Sequence, residues 1–138
     1  MNPGATKGTI LIVDDDLVFA SELQQALEGA GYTVLVRHSG PDALTLVEQL
    51  KGAIDLAVID VLLPGMSGFE VVGSIKRRPN AIKIVLTSLV MPDLYMEVAM
   101  TFGAHAVLRK TVEFQPAEWL KSIGDLMADA ATRRQGAI

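Results

Sequence analysis

Four mostly apolar runs, each ending on polar or charged side chains, set the rhythm of this chain. Ile10-Leu11-Ile12-Val13 leads into Asp14-Asp15-Asp16, and Leu56-Ala57-Val58-Ile59 leads into Asp60. Ile82-Lys83-Ile84-Val85-Leu86 leads into Thr87-Ser88, and the weaker Ala106-Val107-Leu108 leads into Arg109-Lys110. Short apolar runs bounded by turn residues predict strands buried on both faces. Tyr32 to Arg37 alternates and predicts one strand more.

Between the strands the apolar positions recur at helical spacing. Leu17, Ala20, Leu23, Leu27 and Ala30 follow Asp16, which is placed as an N-cap, while Gly29 and Gly31 suit the C-terminal end. Ser39-Gly40-Pro41-Asp42 turns into a helix striped by Ala43, Leu44, Leu46, Val47 and Leu50, with Pro41 near its start. A short helix is predicted from Ser67 to about Arg77, ahead of the break at Pro79-Asn80. Another opens at Pro92-Asp93 and closes at Gly103. The last begins around Pro116 and carries Trp119, Leu120, Ile123, Leu126 and Met127. Strand then helix, repeated with short connections, predicts an α/β fold: a doubly wound, five-stranded parallel sheet with helices on both faces. A single domain is expected over residues 9–131, with tails at 1–8 and 132–138.

Composition narrows the function classes. The 138 residues suit one domain with its own core, and half are apolar. The absence of cysteine excludes a disulfide framework and thiolate chemistry. A net charge of −4 argues against a nucleic-acid surface. Lys76-Arg77-Arg78, the longest basic run, reads as a solvated helix end. No stretch approaches the roughly 20 apolar residues of a membrane span, and Met1 to Gly8 lacks a signal-peptide core. A cytoplasmic protein without membrane contact is expected.

In an open α/β sheet, ligands collect beyond the carboxyl ends of the strands. If these strands are parallel neighbours, Asp14, Asp15, Asp60, Thr87 and Lys110 share one crevice. Clustered carboxylates repel one another unless a cation shares them, and hard oxygen donors without His or Cys favour Mg²⁺. Asp16 is read as much as a helix cap as a ligand. His38 and His105 have no partner at suggestive spacing and read as surface or packing residues.

With Ile-Leu-Ile-Val-Asp14-Asp15, Val-Ile-Asp60-Val-Leu-Leu-Pro64-Gly65-Met-Ser-Gly68, Val-Leu-Thr87-Ser88 and Lys110, the chain from about Thr9 to Met127 resembles the receiver domain of two-component response regulators. The resemblance implies the flavodoxin-like receiver fold and a phosphoacceptor rather than an enzyme. Asp60 would take a phosphoryl group from a phosphohistidine on a sensor histidine kinase or phosphotransfer protein. Mg²⁺ would be held by Asp14, Asp15, Asp60 and the backbone carbonyl of Leu62. Thr87, with Ser88 beside it, and Lys110 would bind the phosphoryl oxygens and relay the change. Three positions depart from the family pattern. Lys110 precedes Thr111 instead of proline, so a trans bond is expected. Val107 replaces the usual aromatic switch. Ser67 replaces an aspartate, with equal aptitude as a cap.

Two other readings fit part of this pattern. Asp14-Asp15-Asp16-Leu17-Val18 also resembles the first motif of haloacid-dehalogenase-type phosphatases, with Asp14 as nucleophile and Asp16 as general acid. That chemistry needs a further acidic pair, for which the last helix offers only Glu113, Glu118, Asp125 and Asp129 in or near it. The Val107 and Thr111 departures suggest a binding module that signals without phosphate. For a single-domain regulator, output is expected through a protein contact, without nucleic acid, as a monomer or weak homodimer. In the helix from Pro92 to Gly103, Leu94, Val98 and Phe102 share one face, with Met96 and Met100 roughly opposite. Exposed methionines suit an adaptable partner surface. Trp119, far along the chain, is expected to report poorly on the crevice.

Overall fold

The computed structural model describes residues 7–89 and 93–136, with the backbone alone for 93, 95 and 130–136. Strands and helices alternate: β1 (Thr9–Val13), α1 (Leu17–Gly29), β2 (Thr33–Arg37), α2 (Gly40–Gln49), β3 (Leu56–Asp60), α3 (Gly68–Lys76), β4 (Lys83–Ser88), α4 (Asp93–Thr101), β5 (Ala106–Arg109) and α5 (Pro116–Gly136). The sheet is parallel throughout in the order β2-β1-β3-β4-β5. The chain steps from β1 outward to β2, then returns to the other side of β1 to place β3. The crevice at that reversal lies between the ends of β1 and β3, just where Val13 gives way to Asp14 and β3 ends on Asp60.

The apolar runs are buried on both faces, as their continuity predicts. Leu11, Val13, Ala57, Ile59, Ile84 and Leu86 face a core closed by α2 and α3. Ile10, Ile12, Leu56, Val58 and Val85 face a second core closed by α1 and α5, through Leu23, Leu27, Trp119 and Ile123. Helix starts follow the sequence signals. Asp16 caps α1 by accepting from the Phe19 amide, and Ser39 caps α2 by accepting from Asp42. Ser67 forms a full capping box with Glu70, so it serves the role expected of it.

Three expectations change. Helix α5 runs to Gly136, so residues 132–136, expected as part of a C-terminal tail, are helical. At the other end, the Lys7 amide donates to the Gly31 carbonyl and the Gly8 carbonyl accepts from Thr33, which ties part of the expected tail to β2. Residues 1–6, and Pro92 as the opener of α4, lie outside the described residues. Within α4, Ala99 is fully buried and Met96 is half-buried against the core, whereas Leu94, Val98, Met100 and Phe102 are exposed. The expected methionine face is therefore split. Met96 turns inward beside the small Ala99, with its sulfur 3.4 Å from Arg109 Nη2.

Candidate functional site

Asp60 ends β3 at 5% exposure, and its carboxylate is tied at both oxygens. Oδ1 accepts from the Leu62 amide (3.0 Å), and Oδ2 accepts from Lys110 Nζ (3.1 Å). Asp14 is buried still more deeply, at 1% exposure. Its Oδ1 accepts from the Asp16 amide (2.9 Å) and from Lys110 Nζ (3.1 Å). Its Oδ2 lies 2.8 Å from the same ammonium, an ion-pair contact without hydrogen-bond alignment. Burial pushes the Asp14 carboxyl up to about 6, against the opposing pull of Lys110 and the Asp16 amide. Lys110 is itself desolvated, yet its pairing with Asp14 and Asp60 raises its pKa above the ordinary value.

Asp14, Asp15 and Asp60 each bring a carboxylate oxygen to within 4.8 Å of the others. Asp15 is the exposed member and Asp14 and Asp60 are the buried ones, so the cluster opens toward solvent on one side. An oxygen-only donor set, with a buried carboxyl whose charge is under-compensated, fits a hard divalent cation such as Mg²⁺. The next strand places Thr87 in register with Asp60. The Thr87 side chain is fully buried, and its hydroxyl has no hydrogen-bond partner among the described residues. Ser88 follows, also buried, and its carbonyl accepts from the Lys110 amide (3.0 Å). An open cleft of about 480 Å³ lies over these groups, lined among others by Asp15, Asp60, Leu62, Ser88 and Lys110. No cis peptide bond occurs among the described residues, including the one before Thr111.

Three contacts around the site escaped the sequence reading. His38 is a neighbour of the site, not an idle surface residue: its Nδ1 donates to the Asp14 carbonyl (2.9 Å) from the end of β2. His105 is a packing residue, with its Nδ1 accepting the Ile84 amide (3.0 Å). Phe19 of α1 lies beneath the ammonium of Lys110, 4.7 Å from Nζ to ring centroid. Trp119 meets that same ring edge-on, with centroids 5.4 Å apart, so it stands two contacts from Lys110 and is well placed to report on the site. The sequence held one signal for this: Phe19 is three residues past the cap Asp16, on the first turn after the acidic cluster.

Two of the acids that a phosphatase could use are elsewhere. Asp129 pairs with Lys83, at the opening residue of β4 and hence at the far end of the sheet (3.0 Å). Asp125 pairs with Lys121 on the same helix. Among the described residues, the carboxylate cluster consists of Asp14, Asp15 and Asp60.

Comparison with known proteins agrees. The family model of the response regulator receiver domain matches residues 10–123. The uncharacterized transcriptional regulatory protein YkoG of Bacillus subtilis (strain 168) is 32% identical over 111 residues, covering 79% of this chain and 47% of that protein. A cyclic di-GMP phosphodiesterase of Thermotoga maritima is 33% identical over 108 residues, covering 78% of this chain and 28% of the relative. This chain thus spans less than half the length of these two relatives. A solved CheY-like response regulator receiver domain protein from Methanospirillum hungatei JF-1 superposes with a TM-score of 0.80 at 28% identity, covering 91% of this chain and 98% of that one. Among the described residues, no helix is long and apolar enough to cross a membrane.

Proposed function

The chain belongs to the receiver-domain family of two-component response regulators, and on that premise we propose that Asp60 accepts a phosphoryl group from a phosphohistidine on a sensor histidine kinase or phosphotransfer protein. One Asp60 oxygen forms the new bond to phosphorus as the phosphorus–nitrogen bond of the donor breaks, and the imidazole leaves with the electron pair. Asp14, Asp15, Asp60 and the Leu62 carbonyl would hold Mg²⁺, which supplies positive charge where the phosphoryl oxygens gather. Lys110 already pairs with Asp60 and stays as a counter-charge when the acyl phosphate forms. Thr87 contributes a donor. The observation that carries this reading is its hydroxyl: fully buried, beside Asp60 in register, and without a partner among the described residues. A buried donor without an acceptor costs about 1–3 kcal/mol, and a phosphoryl oxygen on Asp60 supplies the acceptor.

Residues 9–131 form the proposed signalling unit, with output through a protein contact rather than nucleic acid, as a monomer or weak homodimer. On α4 the groups available to a partner are Met100 with Leu94, Val98 and Phe102, while Met96 supports them from below. Incubation with acetyl phosphate and Mg²⁺, read by intact-protein mass spectrometry, should give one phosphate per chain. Asp60→Asn should abolish it. Uptake by that variant at the wild-type rate would overturn the assignment, and turnover without accumulation would point to phosphatase chemistry at Asp14.

A further inference from the structure

Lys110 has three N–H donors and two carboxylate partners, Asp14 and Asp60. Its side chain is only 8% exposed, so its remaining contact surface matters. That surface is occupied by the Phe19 ring, 4.7 Å from Nζ to centroid, inside the range at which an aromatic face attracts a cation. The ring is not free to drift. It is 8% exposed and is met edge-on by Phe114 (6.0 Å) and by Trp119 (5.4 Å).

The backbone closes the same circuit. Asp14 Oδ1 accepts from the Asp16 amide, and Asp16 Oδ1 accepts from the Phe19 amide (3.1 Å). The Phe19 ring meets Lys110, and Lys110 returns to Asp14 Oδ1. The first turn of α1 therefore places both the acidic cluster and the aromatic face that holds its counter-ion. An aliphatic residue at this position would fill the space while leaving one side of the ammonium on uncharged hydrocarbon. The cleft above is open to solvent.

We propose that Phe19 is a positioning residue: its ring face holds the Lys110 ammonium where it pairs with Asp14 and Asp60 and meets the incoming phosphoryl group. The phosphoryl part rests on the acceptor reading above. The placement of Lys110 does not.

The test replaces Phe19 with leucine, with tyrosine, and with pentafluorophenylalanine, which keeps the ring's shape and reverses the charge of its face. The Lys110 ε-methylene protons, read by NMR without phosphodonor, should lie upfield in wild type and Phe19→Tyr under the ring current. In Phe19→Leu they should return to ordinary values. Uptake from acetyl phosphate should fall on the order of three- to ten-fold in the leucine and fluorinated proteins, consistent with the loss of a largely desolvated cation–π contact, and be restored by tyrosine. If Phe19→Leu does not fold, the fluorinated ring decides the matter alone. Unshifted Lys110 protons in wild type, or wild-type uptake with the fluorinated ring, would overturn the role of Phe19. A wild type that takes up no phosphate but shows the ring-current shift would overturn the acceptor reading and leave the placement of Lys110 upheld.

Discussion

Asp14 is where burial and function pull against each other. Its carboxyl is pushed from the ordinary 3.8 up to about 6, chiefly because it has been taken out of water. The folded protein therefore holds this proton more tightly than the unfolded chain. A group with a raised folded pKa contributes stability that is whole below the unfolded value and lost as pH rises through the folded one. The contribution should be complete below about pH 4 and gone above about pH 6. A shift of that size is worth up to about 3 kcal/mol. Without Mg²⁺, the urea midpoint should fall across that window by more in wild type than in Asp14→Asn. At pH 7 the variant should be the more stable protein, by about 1–3 kcal/mol. Saturating Mg²⁺ should narrow the gap, since it favours the charged wild-type cluster. Parallel pH profiles for the two proteins would show that Asp14 is not the group responsible. The acidic cluster is thus a place where the fold gives up stability to bring together carboxylates that could hold a cation.

At the scale of elements, the turn between β3 and α3 holds Asp60 in place, and Gly68 is its pivot. A Cβ there would stand 2.2 Å from the Asp60 carbonyl oxygen and 2.7 Å from Val61 Cα. Both are backbone atoms, so no rotamer change relieves the clash. The absence of a side chain lets the Gly68 amide donate to the Val61 carbonyl (2.8 Å) and start α3 hard against the end of β3. Gly73, in the same helix, is different: its Cβ would meet nothing nearer than Arg77 Nη1 at 3.7 Å. Gly68→Ala should cost about 1–3 kcal/mol or more through overpacking, and should slow phosphate uptake because the displaced backbone is that of Asp60. Gly73→Ala should stabilise by about 0.5–1 kcal/mol, since it trades glycine for a better helix former with room to spare. Chemical denaturation of both variants gives the comparison. Equal stability of Gly68→Ala and wild type would show that the turn has slack that the close approach does not suggest.

Across the whole molecule, what could be read from the chain was what is local. The strands declared themselves because each is a short apolar run buried on two faces, and the side chains that meet in the crevice because each ends such a run. What stayed hidden depends on pairings between distant positions. Phe19 reads as one more apolar residue on a helix, until the fold sets Lys110 above it. On α4 two apolar faces were legible, but not which one turns inward; the small Ala99 decides that by letting the helix sit close. The same distinction bears on how a phosphoryl group on Asp60 would be felt elsewhere. Val107 is half-buried, in register with Leu86 and packed into the core under α4. Its short β-branched side chain cannot exchange between a buried and an exposed position as a long aromatic could. Thr87 stands between Asp60 on one side and Leu108 on the other, and its strand leads through Ser88 and Leu89 toward α4. New charge on Asp60 should therefore act across one strand spacing on the Thr87 hydroxyl and pass along the end of β4. With beryllofluoride as a phosphoryl mimic, hydrogen exchange should change at 87–89 and along α4. Thr87→Ala should suppress that change while leaving uptake at Asp60 largely intact. Val107→Ala should lower stability by about 1–3 kcal/mol and leave the exchange response in place. Protection that changed at 107–110 alone, with 87–100 unaltered, would place the relay on β5 and remove Thr87 from it.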